Sequence, residues 1–334
     1  LTLNVAPTSG TPQLNLNSNV SGTGNLIKTG PGLAVISGVG TSSNSYTGTT
    51  TVQQGELRLS RTTITAPANC IPGALIIGGG ANPAQLTTTV TEKIANTADV
   101  TVNANGSYLP GANETIGSLT INGGTVNAGV HSILLNGNLM ANVTSTISAS
   151  SLEFVGATKD LTTASGVSLS IPNLIATSGA NTTLRKMGPG TLVLDRFNVG
   201  LLDLVEGVID SHGVDDLGTE LRTQPGTRLR GIGEFNVLNA TAGGSIEPGF
   251  DTVTDEMQTF DFNAGTATTY RPFMDATGSS ALTVKAGLNL GGAQLVPNVT
   301  AVPAVGTVFT ILYKTTAGAT ATRFKQGATT LNEG

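Results

Sequence analysis

Tryptophan is absent from this 334-residue chain, cysteine occurs once, histidine twice, and aromatic residues make up only 4%. Each scarcity removes a class of protein. With Cys70 alone, no intrachain disulfide and no multi-thiolate metal centre can form. Cys70 therefore reads as a small packed apolar residue in Ala68-Asn69-Cys70-Ile71. Too few aromatics are present for a conventional globular core of this length. Charge is also sparse: 11% of residues are charged, the net charge is −5, and the 16 Lys and Arg are scattered. Without a basic stripe, nucleic-acid binding is excluded. The strongly apolar runs, such as Leu75-Ile76-Ile77 and Val193-Leu194, are far shorter than the roughly 20 residues of a membrane-spanning helix. The chain opens on Leu1, so a removed secretory leader or a start inside a longer chain is expected.

What the chain does have is 44 glycines amid abundant Thr, Asn and Ser. Short alternating runs recur throughout, among them Leu1-Thr2-Leu3-Asn4-Val5, Glu56-Leu57-Arg58-Leu59, Asp99-Val100-Thr101-Val102, Ser118-Leu119-Thr120-Ile121 and Leu282-Thr283-Val284. A period of two means strands with one buried and one wet face. Turn chemistry separates them, as in Asn122-Gly123-Gly124, Asn136-Gly137 and Gly188-Pro189-Gly190. Only Thr91 to Ala98 favours helix, and the following strand limits it to one turn.

The chain also repeats itself. Lys28-Thr29-Gly30-Pro31-Gly32-Leu33-Ala34-Val35-Ile36 is echoed by Lys186-Met187-Gly188-Pro189-Gly190-Thr191-Leu192-Val193-Leu194. Each is followed by a second echo, Gln54-Gly55-Glu56-Leu57 in the first and Glu206-Gly207-Val208-Ile209 in the second. The first copy spends 27 positions from Lys28 to Gly55 and the second 21 from Lys186 to Gly207, the difference falling in the loop Gly38 to Tyr46. Variable loops on a fixed strand frame suit a β-solenoid, whose units pack only on their neighbours. A β-sandwich array is the competing topology, but it needs larger inward residues. The last 84 residues hold seven of the 13 Phe and Tyr, so residues 251–334 are expected to form a C-terminal β segment. That segment, a cap or an assembly surface, would continue a solenoid spanning residues 1–250.

At these residues the chain resembles the passenger-associated transport repeat, also called the autotransporter-associated β-strand repeat, of bacterial surface proteins. The resemblance rests on Lys28 to Ile36, Tyr46-Thr47-Gly48 and Gly55-Glu56-Leu57, and on the order in which they occur. Flanking stretches such as Gly73 to Gly78, Lys93 to Val102, Gly243 to Gly249 and Val305 to Leu312 are similar to segments that join or close such repeats. The second copy departs, with Phe197-Asn198-Val199-Gly200 where Tyr-Thr-Gly would stand. The resemblance implies a right-handed parallel β-helix, exported to the extracellular side or cell surface, in a family of structural and adhesive passengers. It carries no catalytic residue over.

Candidate chemistry is thin. His131, in Gly129-Val130-His131-Ser132, reads as a turn residue. His212 lies beside Asp210, Asp215 and Asp216, a group that suits a divalent metal or a tuned base, but a polar glycine-containing turn explains it as well. Asp251, Asp255 and Glu256 offer calcium-type oxygens without the spacing of a calcium loop, which reads as a solvated acidic loop. Asp203, Glu206 and Asp210 are the strongest carboxylates for a polysaccharide-cleaving β-helix enzyme, although their spacing mixes the two faces of a strand. The expectation is therefore an all-β solenoid with no catalytic, cofactor-binding or metal residue, no cofactor and no transmembrane segment. Its expected role is an extracellular structural scaffold that self-associates head to tail or by strand addition into fibres or a coat. An adhesin binding a host surface or polysaccharide is the alternative.

Overall fold

A computed structural model describes residues 1–7, 14–39, 42–62, 69–176, 182–213, 219–250, 252–316, 323–326 and 329–330. Among these the regular elements are all β-strands. Parallel sheets stack them into a β-solenoid, and the chain divides into two compact units, Leu1–Thr177 and Ser178–Gly334.

In the first unit, one sheet stacks Thr2–Asn4, Leu26–Thr29, Thr50–Val52, Leu75–Ile77, Val100–Asn103, Leu119–Asn122, Leu139–Ala141 and Thr158–Thr163. A second stacks Leu14–Leu16, Leu33–Ile36, Gly55–Leu59, Ala84–Thr88, Gly106–Pro110, Thr125–Asn127, Ser145–Ser148 and Ser168–Ile171. A third, shorter sheet closes the later coils with Glu114–Ile116, Ser132–Leu135, Ser151–Phe154 and Leu174–Ala176. Consecutive strands of one sheet belong to consecutive coils, so each coil hydrogen-bonds to the next at about 4.8 Å.

Register explains why aliphatic residues predominate in the core. In the first sheet Leu75, Val100, Leu119, Leu139 and Leu161 lie over one another, and in the second Ala34, Leu57, Leu86, Tyr108, Val126 and Ile147 do. Apart from Ala34 and Tyr108 these are Leu, Ile or Val, and all are at most 1% exposed. Most side chains meet an aliphatic neighbour above and below, so the narrow core closes with few bulky aromatics.

The second unit repeats the plan. Its first sheet runs through Thr183–Met187, Leu201–Leu204, Glu220–Thr223, Glu234–Ala240, Glu256–Ala264, Ala281–Val284 and Leu312–Lys314. Its second runs through Thr191–Leu194, Val208–Ser211, Arg228–Gly231, Gly244–Pro248, Thr268–Tyr270, Gln294–Leu295 and Lys325–Gln326. Position 250 lies inside this unit, and Glu234–Ala240 pairs with Glu256–Ala264 across it. The C-terminal aromatics divide between inside and outside. Phe262 and Tyr270 are fully buried, Phe324 stacks on Tyr270 at 5.1 Å, and Tyr313 is exposed. Residues 91–98 form no helix; a single turn closes where the Ala98 N–H donates to Ala95 O at 2.8 Å.

Two glycines are dictated by this stacking. Gly55 and Gly207 have φ of +71° and +80°, and a Cβ on either would lie 2.5–2.6 Å from two carbonyl oxygens of the preceding coil's turn. Gly166 has a similar φ of +72° with open space around it. Replacing Gly166 with Ala is expected to cost about 1 kcal/mol, the backbone strain alone. Gly55→Ala and Gly207→Ala are expected to cost at least about twice that, because a carbonyl must also be displaced. Urea denaturation of the three variants checks the order.

Candidate functional site

The repeated lysines are the first polar feature that the fold singles out. Lys28 occupies an inward column between Leu3 and Val52, and Lys186 is level with Leu204. Both are 0% exposed. Lys28 Nζ donates to Thr29 O (2.9 Å), Gly30 O (2.7 Å) and Gln54 O (2.9 Å). Lys186 Nζ donates to Met187 O (3.1 Å), Gly188 O (2.7 Å) and Glu206 O (3.0 Å). An ammonium has three donors, and each lysine spends them on two carbonyls of its own turn and one of the next coil. Burial pushes both down to about 8, which leaves them charged at neutral pH. These lysines are turn clamps. The Gly residue after each third carbonyl, Gly55 or Gly207, is the one whose Cβ would strike the clamped turn.

A second buried polar group lies in the first unit. Arg61, 1% exposed, donates from Nη1 to Asn44 Oδ1 (2.9 Å) and from Nη2 to Ser18 O (3.0 Å). Asn44 accepts from the Val20 N–H at 3.0 Å and donates to Cys70 O at 2.7 Å, so one side chain ties three coils together. Tyr46 hydrogen-bonds Thr50 Oγ1 at 2.6 Å. Cys70 is buried here and burial pushes its thiol up, as for an inert packed cysteine. Deeper along the same corner, Glu114 Oε1 accepts from the Ile94 N–H at 2.8 Å, while Oε2 and the Tyr108 hydroxyl are buried without a partner. Burial, reinforced by Glu92, raises Glu114 to about 8 against the pull of the Ile94 and Lys93 N–H groups and the Lys93 charge.

The outward face of the second unit carries the third feature. Arg230 clasps Asp210 with two bonds of 2.5 and 2.6 Å. Arg228 Nε donates to Glu247 Oε2 at 2.6 Å, and Arg271 Nε lies 3.5 Å from Glu247 Oε1. A groove of about 420 Å³ opens here, lined in part by Arg228, Ser245, Glu247, Thr269, Arg271 and Asn298.

The residues weighed from sequence fall differently. His212 is exposed and packs tilted against Phe250, ring centroids 4.2 Å apart, while its neighbour Asp210 is engaged by Arg230. Asp215 and Asp216 lie outside the described residues, as does Asp251. Asp255 Oδ2 accepts from the Phe250 N–H at 2.8 Å. Asp203 belongs to the first sheet and Asp210 to the second, so these two carboxylates do not share a groove. His131 is a turn residue, its N–H bonded to Ala128 O at 3.0 Å. Among the described residues, no three of His, Cys, Asp and Glu are placed to hold a metal, and no helix is long and apolar enough to cross a membrane. Phe197 is buried in a two-residue strand like that of Tyr46, and packs on Phe235 at 5.6 Å where Tyr46 instead uses its hydroxyl. Sequence reasoning passed over Arg61, Glu114 and the arginine groove. A signal existed for the last: Arg228-Leu229-Arg230 alternates, which places both arginines on one outward face.

Lys28→Met and Lys186→Met are each expected to cost about 3 kcal/mol or more, since three carbonyls lose a charged donor. Equilibrium urea unfolding checks this, with Lys159→Met, whose lysine is less deeply buried, expected to cost less. Glu114 gives a pH prediction. Its carboxyl titrates near 4.5 when unfolded and near 8 when folded, so between these values the folded chain binds more protons. Stability from this group is complete below about pH 4.5, and is lost as pH rises through 8. Relative to the parent, Glu114→Gln is expected to flatten the fall in Tm between pH 5 and pH 8.

No model of a known family, no curated protein and no solved structure matches the chain.

Proposed function

We propose that this chain is a non-enzymatic structural scaffold displayed on the extracellular side of a bacterial cell. The observation that carries the reading is where the polar groups are spent. Lys28 and Lys186 are consumed by backbone carbonyls, Arg61 and Asn44 by the coils they join, and Asp210 by Arg230. On the outer edge Asn103, Asn122 and Asn142 form a ladder, each amide donating to the one before at 2.8–2.9 Å. These are the groups an enzyme would gather in a cleft, and here they join coil to coil. The resemblance of the two lysine repeats to bacterial surface passengers supports the extracellular placement.

Self-association is part of the proposal. Val296, Val299, Val302, Val305 and Val308 are all exposed within one short stretch of the second unit, the first two by a little under half and the other three almost completely. Exposed apolar surface concentrated in one segment favours contact with another molecule. The adhesin reading has its own support in the arginine groove.

Electron microscopy of the concentrated protein is expected to show filaments or sheets, dispersed when Val302 and Val305 are replaced with Lys. Strictly monomeric sedimentation at high concentration would remove self-assembly. Immunogold labelling confined to the cytoplasm of producing cells would remove the surface placement.

A further inference from the structure

We propose that the outward face of the second sheet in the second unit binds an anionic, hydroxyl-rich chain, a polysaccharide carrying carboxylate or sulfate groups, with Arg228 and Arg271 holding the anion. This goes beyond the scaffold reading and does not depend on it.

The placement follows from register. Arg228 lies level with Ser245, Thr269 and Gln294, and Lys325 follows in the same row. In the next outward row Asp210, Arg230 and Glu247 are aligned, and Arg271 continues that row immediately after Tyr270, the partner of Ile246. These rows carry four cations, Arg228, Arg230, Arg271 and Lys325, against two carboxylates, Asp210 and Glu247. The chain as a whole has a net charge of −5. The local sign is therefore inverted, which draws in an anion.

Glu247 positions the arginines without cancelling them. Its Oε2 takes Arg228 through Nε at 2.6 Å and Nη2 at 2.5 Å, and its Oε1 takes the Ser245 hydroxyl at 2.9 Å and faces Arg271 Nε at 3.5 Å. One carboxylate thus steadies two guanidiniums whose strands are two coils, about 10 Å, apart. Both arginine side chains remain 43% exposed, and guanidinium donors not turned to Glu247 suit the planar oxygens of a carboxylate or sulfate.

The groove floor narrows the ligand. Gly226 and Gly244 contribute no side chain, Ala267 is small, and Ser245, Thr269 and Asn298 offer hydroxyl and amide groups. Among the described residues no aromatic lines it, so neither a nucleobase nor a neutral sugar ring finds a stacking platform there, and binding rests on charge and hydroxyl contacts. The polar row continues through Gln294 and Lys325, one group per coil, which fits an extended chain laid along the rows better than an isolated small anion.

The test is calorimetric titration of the full chain with three oligosaccharides of matched length: a polyuronate, a sulfated glycosaminoglycan fragment and neutral dextran. Binding of either anionic chain, weakened by salt and absent for dextran, supports the proposal, and the two arms show which anion is preferred. Arg271→Ala, which removes only a 3.5 Å contact and so spares the fold, is expected to weaken binding about tenfold. Arg228→Gln with Arg271→Ala should abolish it, with circular dichroism unchanged, while Arg58→Ala, on the outward face of the first unit, should leave it intact. Binding of neither anionic chain, equal binding of dextran, or binding undiminished by Arg271→Ala would overturn the proposal. Filament formation is read separately, so failure here is distinct from failure of the scaffold reading.

Discussion

In-register parallel stacking is the constraint from which the rest of this structure follows. When each coil lies about 4.8 Å above the last, a residue meets its counterpart directly above and below along both sheets. Inward columns must then be filled with residues that pack well against their own kind, which is why Leu, Val and Ile predominate. Outward columns face the opposite problem, since like charges stacked at that spacing repel. The chain answers with amide ladders at Asn103, Asn122 and Asn142, and with alternation of sign through Asp210, Arg230, Glu247 and Arg271.

The lysine clamps are the informative exception. A charged group in an apolar column is costly unless every donor is satisfied. Three carbonyls converge on each ammonium because the turn after the strand curls back beneath its own end, while the next coil's turn presses a glycine against it. Lysine, carbonyl turn and glycine are one device; a larger residue at Gly55 or Gly207 would displace the carbonyls that the ammonium needs. This coupling gives a physical reason for Lys28 and Gly55 to recur together as Lys186 and Gly207.

Much of the fold was legible because its signals are local. Alternation and Gly-rich turns identify strands, and the doubled lysine motif identifies a coil-type repeat. What was not legible depends on register. Leu57 pairs with Leu86, 29 residues on, whereas Leu86 pairs with Tyr108, only 22 residues on. With coil length varying this much, counting residues does not reveal that Glu247 lies between Arg228 and Arg271, or that Asn44 reaches Cys70. The inward direction of Lys28 was hidden for another reason. Composition alone assigns lysine to water, and only the three carbonyls make the interior acceptable.

The same geometry separates stability from recognition. Core columns and clamps act between adjacent coils, so their contribution is carried coil by coil along each unit. Outward side chains at alternate positions contribute little to that packing and are free to vary. In the second unit the alternating positions of Arg228–Gly231 show the division in four residues: Leu229 is fully buried, while Arg228 and Arg230 face outward. A binding row can therefore be written onto the sheet one residue per coil without disturbing the column behind it.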